Sequence, residues 1–147
     1  MERLEYPPVW LAGFVALAAL IGRVAPGPEL GIAGSVAGTV LLGLGVALAV
    51  LAAIRFRRAA TTIVPHREPD ALITNGIYRF SRNPIYLGDL LILAGLALLF
   101  DAPLALVLLP VFGVVLTRRF IAPEEARLRA AFGAAFEDYA KHTRRWL

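Results

Sequence analysis

The feature that most constrains this chain is an apolar stretch, residues 31–54, that contains no charged side chain. About 20 apolar residues in a helix are long enough to cross the hydrocarbon core of a bilayer. Residues 8–25 form a second such stretch, interrupted only by Arg23, and two shorter ones lie at 84–100 and 102–121. The sequence is 59% hydrophobic and 18% charged, whereas an average soluble domain is about half apolar and a quarter charged. We therefore predict an all-α integral membrane protein, a four-helix bundle.

The polar parts of the chain complete this architecture as a single domain over residues 1–147. We expect a cytoplasmic loop at 55–83 and a C-terminal amphipathic helix at 123–142 that lies on the membrane. Pro123, followed by two acidic residues, is typical of a helix start. A secretory signal peptide is the alternative for the stretch at residues 8–25, but residues 1–7 lack a clear positive region, which disfavours it.

Cationic residues concentrate in the middle loop and after the fourth stretch, which predicts that both regions lie in the cytoplasm with both termini. The net charge of +4 flanks apolar segments, so it indicates membrane topology and no nucleic-acid partner. The residues concerned are Arg55, Arg57, Arg58, Arg67, Arg79 and Arg82 in the loop, and Arg118, Arg119, Arg127, Arg129, Lys141, Arg144 and Arg145 in the tail.

Glycines recur along the apolar stretch at residues 31–54, and Gly34 and Gly38 make a small-xxx-small pair that allows two helices to approach closely. Two interpretations are open, packing within the chain and dimerisation. We favour packing within the chain.

Two polar positions next to the membrane are candidates for chemistry. The helix that begins at Pro84 offers free backbone N–H groups, with Arg82 beside it, and so suits a carboxylate or another anion. Glu124 and Glu125 follow an arginine pair, where a carboxylate stays ionised and can hold a cation. The alternatives are that the arginines only set topology and that the glutamates only complement the helix dipole. Asp89, inside the third stretch, must be paired or face a cavity.

Other chemistries have no support in the sequence. There is no cysteine, and His66 and His142 show no metal-ligand spacing, so we predict no metal site. There is also no phosphate-cradling glycine motif and no Ser-His-Asp set.

Three motifs together resemble the isoprenylcysteine carboxyl methyltransferase family, whose core pattern the membrane phospholipid N-methyltransferases share. They are the run at 72–88, which reads LITNGIYRFSRNPIYLG, the Pro-Glu-Glu step at 123–125, and Phe132-Gly133 followed by Tyr139 and Arg144-Arg145-Trp146. The motifs cover residues 61–147, and the first two helices match by layout only.

The resemblance implies an integral membrane enzyme that uses S-adenosylmethionine and releases S-adenosylhomocysteine. It implies that Arg119 and Glu124 lie where the acceptor meets the methyl group. It also implies a donor site lined by Tyr78, Arg82, Asn83, Pro84, Tyr86, Gly88, Glu124 and Glu125. Two positions depart from the family pattern. Asn83 stands where the eukaryotic members have His, and it cannot titrate; Phe136 stands where Tyr is frequent.

The expected partners are membrane lipids and a lipophilic acceptor that enters from the bilayer. That acceptor is an isoprenylcysteine-like carboxylate or another small isoprenoid or thiol, and the composition, rich in Ala, Leu and Arg, indicates a bacterial inner membrane. Phosphatidylethanolamine N-methylation is the alternative enzyme activity. A non-catalytic membrane scaffold or transport module is the alternative of another class.

Overall fold

The structure is a computed structural model that describes residues 6–58 and 71–147. These residues form helices and no strand. Residues 59–70, which hold the middle of the predicted loop and His66, lie outside the described residues.

Three helical segments are long and apolar enough to cross a membrane. They are α1 (Pro7–Val24), α2 (Gly31–Arg58) and the continuous helical run Pro103–Phe132. A fourth apolar helix, α3 (Pro84–Leu99), is shorter, with 16 residues. Proline stands in the first turn of α1 and of α3, where its missing N–H costs nothing.

The run Pro103–Phe132 changes its helical geometry three times. A 3₁₀ turn (Pro103–Val107) leads into α4 (Leu108–Leu116), a π-helical turn (Thr117–Ile121) follows, and α5 (Ala122–Phe132) completes the run. Helix α5 begins at Ala122, one residue before the expected start at Pro123, but it continues the same helical run and is not a separate helix. The wide π turn carries the chain past the point where the proline ring would otherwise break the helix.

The π turn also changes which residues face the interior. Buried side chains recur every fourth residue before the turn, shift by one position within it, and recur at the same interval after it. They are Leu108, Phe112, Leu116 and Phe120, then Ile121 and Glu125. The shift places a glutamate on the buried face.

The predicted helix at 123–142 is in fact two helices. Gly133, with φ of +50°, separates α5 from α6 (Ala134–His142). Glycine adopts this left-handed conformation without steric cost, and the chain changes direction there.

Helix α3 packs on α2 through reciprocal glycine pairs. A Cβ added to Gly88 would lie 2.8 Å from the Gly45 carbonyl oxygen, and one added to Gly95 would lie 2.7 Å from that of Gly38. The backbones therefore touch, and the expected packing of α2 within the chain is confirmed. It uses Gly38 and Gly45, seven residues apart, whereas Gly34 packs on Leu30.

The opposite side of α3 packs on α1 and α4 through larger side chains. The rings of Phe14 and Phe112 lie 4.6 Å apart between α1 and α4. The core of this interface includes Leu93, Ala97, Phe112, Leu116 and Phe120. It ends, at the start of α3, in the polar cluster described next.

Candidate active site

Three segments that are distant in sequence meet at one end of the helices. They are a 3₁₀ turn (Gly76–Arg79) with the start of α3, the start of α5, and residues 143–147, which we call the C-terminal segment. Each segment contributes side chains to one polar cluster.

Glu125 is held at the centre of this cluster by two arginines. Arg145 donates from Nε to Oε1 at 3.0 Å and from Nη2 to Oε2 at 2.7 Å, and Arg82 Nη2 lies 3.4 Å from Oε1. Glu125 is only 6% exposed, and a buried carboxylate needs such pairing. The hydrogen bond to Glu125 raises the pKa of Arg145. Glu125 is therefore saturated by the protein itself.

Glu124, its neighbour, is in a different situation. Its Oε2 accepts a hydrogen bond from the Tyr86 hydroxyl at 3.2 Å, and the Tyr86 ring stacks on Phe120 with centroids 6.2 Å apart. Glu124 is half-buried. A carboxylate accepts up to four hydrogen bonds, so Glu124 keeps capacity for a ligand cation or hydroxyl.

The C-terminal segment is fastened across the start of α3 by backbone hydrogen bonds. The Arg82 N–H donates to the Arg144 carbonyl at 3.0 Å, and Asn83 Nδ2 donates to the Arg145 carbonyl at 2.9 Å. The Ser81 hydroxyl donates to the same carbonyl at 3.4 Å and accepts from the Asn83 N–H at 3.1 Å. Asn83 thus joins the loop to the C-terminal segment and does not cap α3 with its side chain.

Two tyrosines join the 3₁₀ turn to α6. The Tyr139 hydroxyl donates to the Tyr78 carbonyl at 2.6 Å, and Phe56 of α2 packs edge-on against the Tyr78 ring at 5.9 Å. Burial raises the pKa of Tyr139 to about 12. Burial, and then the negative charge of Glu124, also raise the pKa of Tyr78. Both phenols stay protonated at neutral pH.

Arg82 provides the observation that points most directly to a ligand. Its Nε is buried and, within residues 6–58 and 71–147, has no hydrogen-bond partner. Its guanidinium carbon lies 6.0 Å from the ring centre of Phe136, which is 1% exposed. A buried N–H without an acceptor is costly, and a ligand carboxylate would satisfy it.

The structure places Arg119 away from this cluster. Its guanidinium lies 5.0 Å above the ring of Trp10 in α1, and within the described part of the chain it makes no ion pair with Glu124. Gly88 is also outside the cluster, since it faces Gly45 of α2. Pro84 is the first residue of α3 and is fully buried. The predicted residues brought together are Tyr78, Arg82, Asn83, Tyr86, Glu124 and Glu125.

Sequence reasoning did not select Arg145, Tyr139 or Phe136 as site residues. Arg145 was one of seven tail cations, and its pairing with Glu125, 20 residues away, depends on the bend at Gly133. The Arg144-Arg145-Trp146 motif could have identified Arg145 as a site residue, because arginines that only set membrane orientation need no fixed motif.

Comparisons with known proteins identify the family of this chain. A family described as phospholipid methyltransferase matches residues 33–135. Proteins named probable protein-S-isoprenylcysteine O-methyltransferase from Oryza sativa subspecies indica and japonica are each 34% identical over 112 residues. The match covers 73% of this chain and 57% of each rice protein, so this chain spans less than two thirds of their length. No solved structure matches significantly. Because the family match takes in α2, α3 and both glutamates, this chain belongs to the phospholipid methyltransferase family.

Proposed function

We propose that the protein is an integral membrane methyltransferase that moves a methyl group from S-adenosylmethionine to a lipophilic acceptor at the cytoplasmic face. The observation that carries the proposal is the pair of ligand-ready groups in one cluster. Within the described residues, the hydrogen-bond partner of Glu124 is the Tyr86 phenol alone, and a buried N–H of Arg82 lacks an acceptor. Family membership makes a methyl donor the ligand that these groups suit.

The membrane arrangement that goes with this function is a single domain in a bacterial inner membrane. Helices α1, α2, α3 and the first part of the run Pro103–Phe132 span the bilayer, and both termini lie in the cytoplasm. The arginines at the end of α2 and next to Glu125 support this orientation. The polar cluster then lies at the cytoplasmic membrane surface.

The residues present fit the donor. S-adenosylmethionine has an amino-acid carboxylate, which suits the free Nε of Arg82, and an ammonium and ribose hydroxyls, which suit Glu124. Tyr78 and Tyr86 are buried beside these groups, and the Tyr86 hydroxyl holds the Glu124 carboxylate. Glu125 and Asn83 act as positioning residues, because they hold Arg82 and the C-terminal segment in place.

The chemistry requires mainly orientation. When bound, S-adenosylmethionine supplies a methyl group on a positively charged sulfur. The acceptor's lone pair forms the new bond to that carbon while the carbon–sulfur bond breaks, and the electron pair remains on sulfur in S-adenosylhomocysteine. In such a displacement the acceptor atom, the methyl carbon and the sulfur must lie on one line. The protein accelerates the reaction by holding the donor and the acceptor in that orientation.

The acceptor classes differ in what they ask of Glu124. An isoprenylcysteine-like carboxylate, the group that the rice relatives' printed name indicates, reacts without losing a proton. The second candidate is the amine of phosphatidylethanolamine, which the phospholipid methyltransferase family match favours. This amine must lose a proton before it reacts, and the Glu124 carboxylate is a group that can accept that proton. Lipid mass spectrometry of a host expressing the protein distinguishes them, because N-methylation yields mono-, di- and trimethylated headgroups.

The test of the proposal is calorimetric titration of the detergent-purified protein with S-adenosylmethionine. We expect a dissociation constant on the order of micromolar, in the usual range for enzyme substrates. Glu124→Gln removes a charged acceptor and should weaken binding about tenfold or more.

The matched control is Glu137→Gln, because Glu137 forms a solvent-exposed pair with Arg129, and such pairs contribute little. This variant should bind the donor as the unmodified protein does. Absence of binding to a folded protein would contradict the proposal and favour a non-catalytic membrane scaffold or transport module.

A further inference from the structure

A groove between α3 and α4 plays no part in the site described above. Its volume is about 620 Å³. Its walls are mainly aliphatic, with Leu87 and Leu91 on α3 and Val114 on α4, and Thr117, Arg118 and Trp146 line it as well. Its α3 wall is a different face of the helix from the one on which Tyr86 and Leu93 are buried.

The polar residues of the groove lie next to the candidate active site. Arg118 belongs to the π turn that precedes α5, and Trp146 follows Arg145, which pairs with Glu125. Tryptophan and arginine are the residues that membrane proteins place at the level of lipid headgroups. The groove therefore runs from the apolar helix faces to the headgroup level.

Arg118 is the cation that lines the groove, and it has no ion pair in the part of the chain that the structure describes. Its neighbour Arg119 lies on Trp10, and Arg145 is committed to Glu125. The Thr117 hydroxyl donates to the Gly113 carbonyl at 2.7 Å, so it does not compete for an anion. Arg118 is exposed and lines the groove.

An apolar groove with a cation at its mouth is complementary to a hydrocarbon chain that ends in an anionic group. Arg118 lines the groove, whereas Tyr86 and Glu124 do not. An amphiphile anchored on Arg118 therefore reaches that pair only with atoms beyond its anionic group. A carboxylate acceptor has no such atoms, since its anion is the group that reacts. A phospholipid has them, because its phosphate lies between the hydrocarbon chains and the terminal headgroup atoms.

We propose that the α3–α4 groove binds a hydrocarbon chain of a membrane phospholipid and that Arg118 holds the phosphate of that lipid. Lipid binding is inferred from the groove and Arg118 and does not depend on the proposed function. That the bound lipid is the methyl acceptor, with its headgroup directed to Glu124, rests on the proposed function.

The experiment uses the full chain in lipid nanodiscs and phosphatidylethanolamine with a photoreactive diazirine midway along one acyl chain. We expect labelling of peptides that contain Leu91 and Val114. Gly113→Leu adds a side chain to the groove lining, and its Cβ meets nothing within 4 Å. It should abolish most of the labelling. Arg118→Gln should weaken it about tenfold, the effect of losing one charge-assisted hydrogen bond.

The matched control is Gly43→Leu on α2, where a Cβ likewise meets nothing within 4 Å but which does not line the groove. This variant should be labelled as strongly as the unmodified protein. Unlabelled phosphatidylglycerol, which has the phosphate without the amine, should compete with the probe, and an isoprenoid carboxylic acid should not. Equal labelling of the two leucine variants, or better competition by the isoprenoid acid, would overturn the proposal.

Titration with S-adenosylmethionine separates this proposal from the proposed function. Gly113→Leu should bind the donor as the unmodified protein does, because Gly113 lies outside the polar cluster. Groove labelling by a protein that binds no donor would contradict the proposed function and leave the lipid site standing. Donor binding without groove labelling would contradict the lipid site and leave the proposed function standing.

Discussion

The two sides of α3 are built on opposite principles. Toward α2, glycines at positions 88 and 95 meet glycines at 45 and 38, and the backbones touch without room for a methyl group. Toward α4, leucines and an exposed valine leave an open groove. The comparison teaches that α3 is fixed by backbone contact on its α2 face, while the face that lines the groove stays open.

The largest expected effect on stability comes from placing a leucine at the α2–α3 interface, compared with the same substitution in the groove. Gly88→Leu forces side-chain atoms into the Gly45 carbonyl, 2.8 Å from the first added carbon. We expect a loss of at least about 3 kcal/mol, the upper end of the range for overpacking. Gly113→Leu, in the groove, should leave the unfolding temperature in detergent nearly unchanged. Equal unfolding temperatures for the two variants would refute the comparison.

The next largest effect on stability is expected from the ion pairs of Glu125, which hold the C-terminal segment against the start of α3. Glu125→Gln leaves Arg82 and Arg145 without their carboxylate. We expect a loss of about 2–3 kcal/mol, below the full cost of breaking a buried pair because Arg145 is 40% exposed.

The C-terminal segment should then become sensitive to limited proteolysis, and donor binding should fall. Glu137→Gln, in the exposed pair with Arg129, is the control and should remain resistant. A Glu125→Gln protein that keeps its segment protected would show that the backbone hydrogen bonds suffice.

A smaller effect is expected at the link between α6 and the 3₁₀ turn. Tyr139→Phe removes the hydrogen bond to the Tyr78 carbonyl and should cost about 1 kcal/mol in chemical denaturation. Since burial raises the pKa of Tyr139 from 10.0 to about 12, this group's stabilisation is complete below pH 10. It should decrease as the pH rises toward 12. The difference in unfolding free energy between the unmodified protein and Tyr139→Phe should therefore decrease between pH 10 and pH 12. A difference that stays constant would contradict the hydrogen bond from Tyr139 to the Tyr78 carbonyl.

The smallest expected effect on stability is at the contact between α1 and the π turn. Arg119→Gln removes the cation above Trp10 and should cost about 0.5–1 kcal/mol. The same variant tests the predicted catalytic role of Arg119. Turnover that matches the unmodified protein would leave Arg119 with a packing role only.

The sequence sufficed to predict the helices because an uncharged apolar stretch of this length has few alternatives. It also predicted that glycine would serve close packing within the chain. It did not predict that Gly88 belongs to that interface. Gly88 lies within the motif, which suggested ligand contact, although its spacing of seven to Gly95 matches the spacing of Gly38 to Gly45.

The π turn explains why other parts of the site escaped prediction. Adjacent helical residues differ by about 100° in direction, so Arg118 and Arg119 could not be assigned by spacing. The wider turn directs Arg118 to the groove and Arg119 to Trp10. Nothing local marks such a turn, because it follows from packing Phe120 and Ile121 into the same core.

The most direct test of the account is transfer of radiolabelled methyl groups from S-adenosylmethionine into extracted lipid. The unmodified protein and Glu137→Gln should label lipid at similar rates. Glu124→Gln should be slower by about a hundredfold, equivalent to roughly 2.7 kcal/mol in the barrier, with an unchanged unfolding temperature. Undiminished transfer by Glu124→Gln, or no transfer by an unmodified protein that binds the donor, would contradict the account.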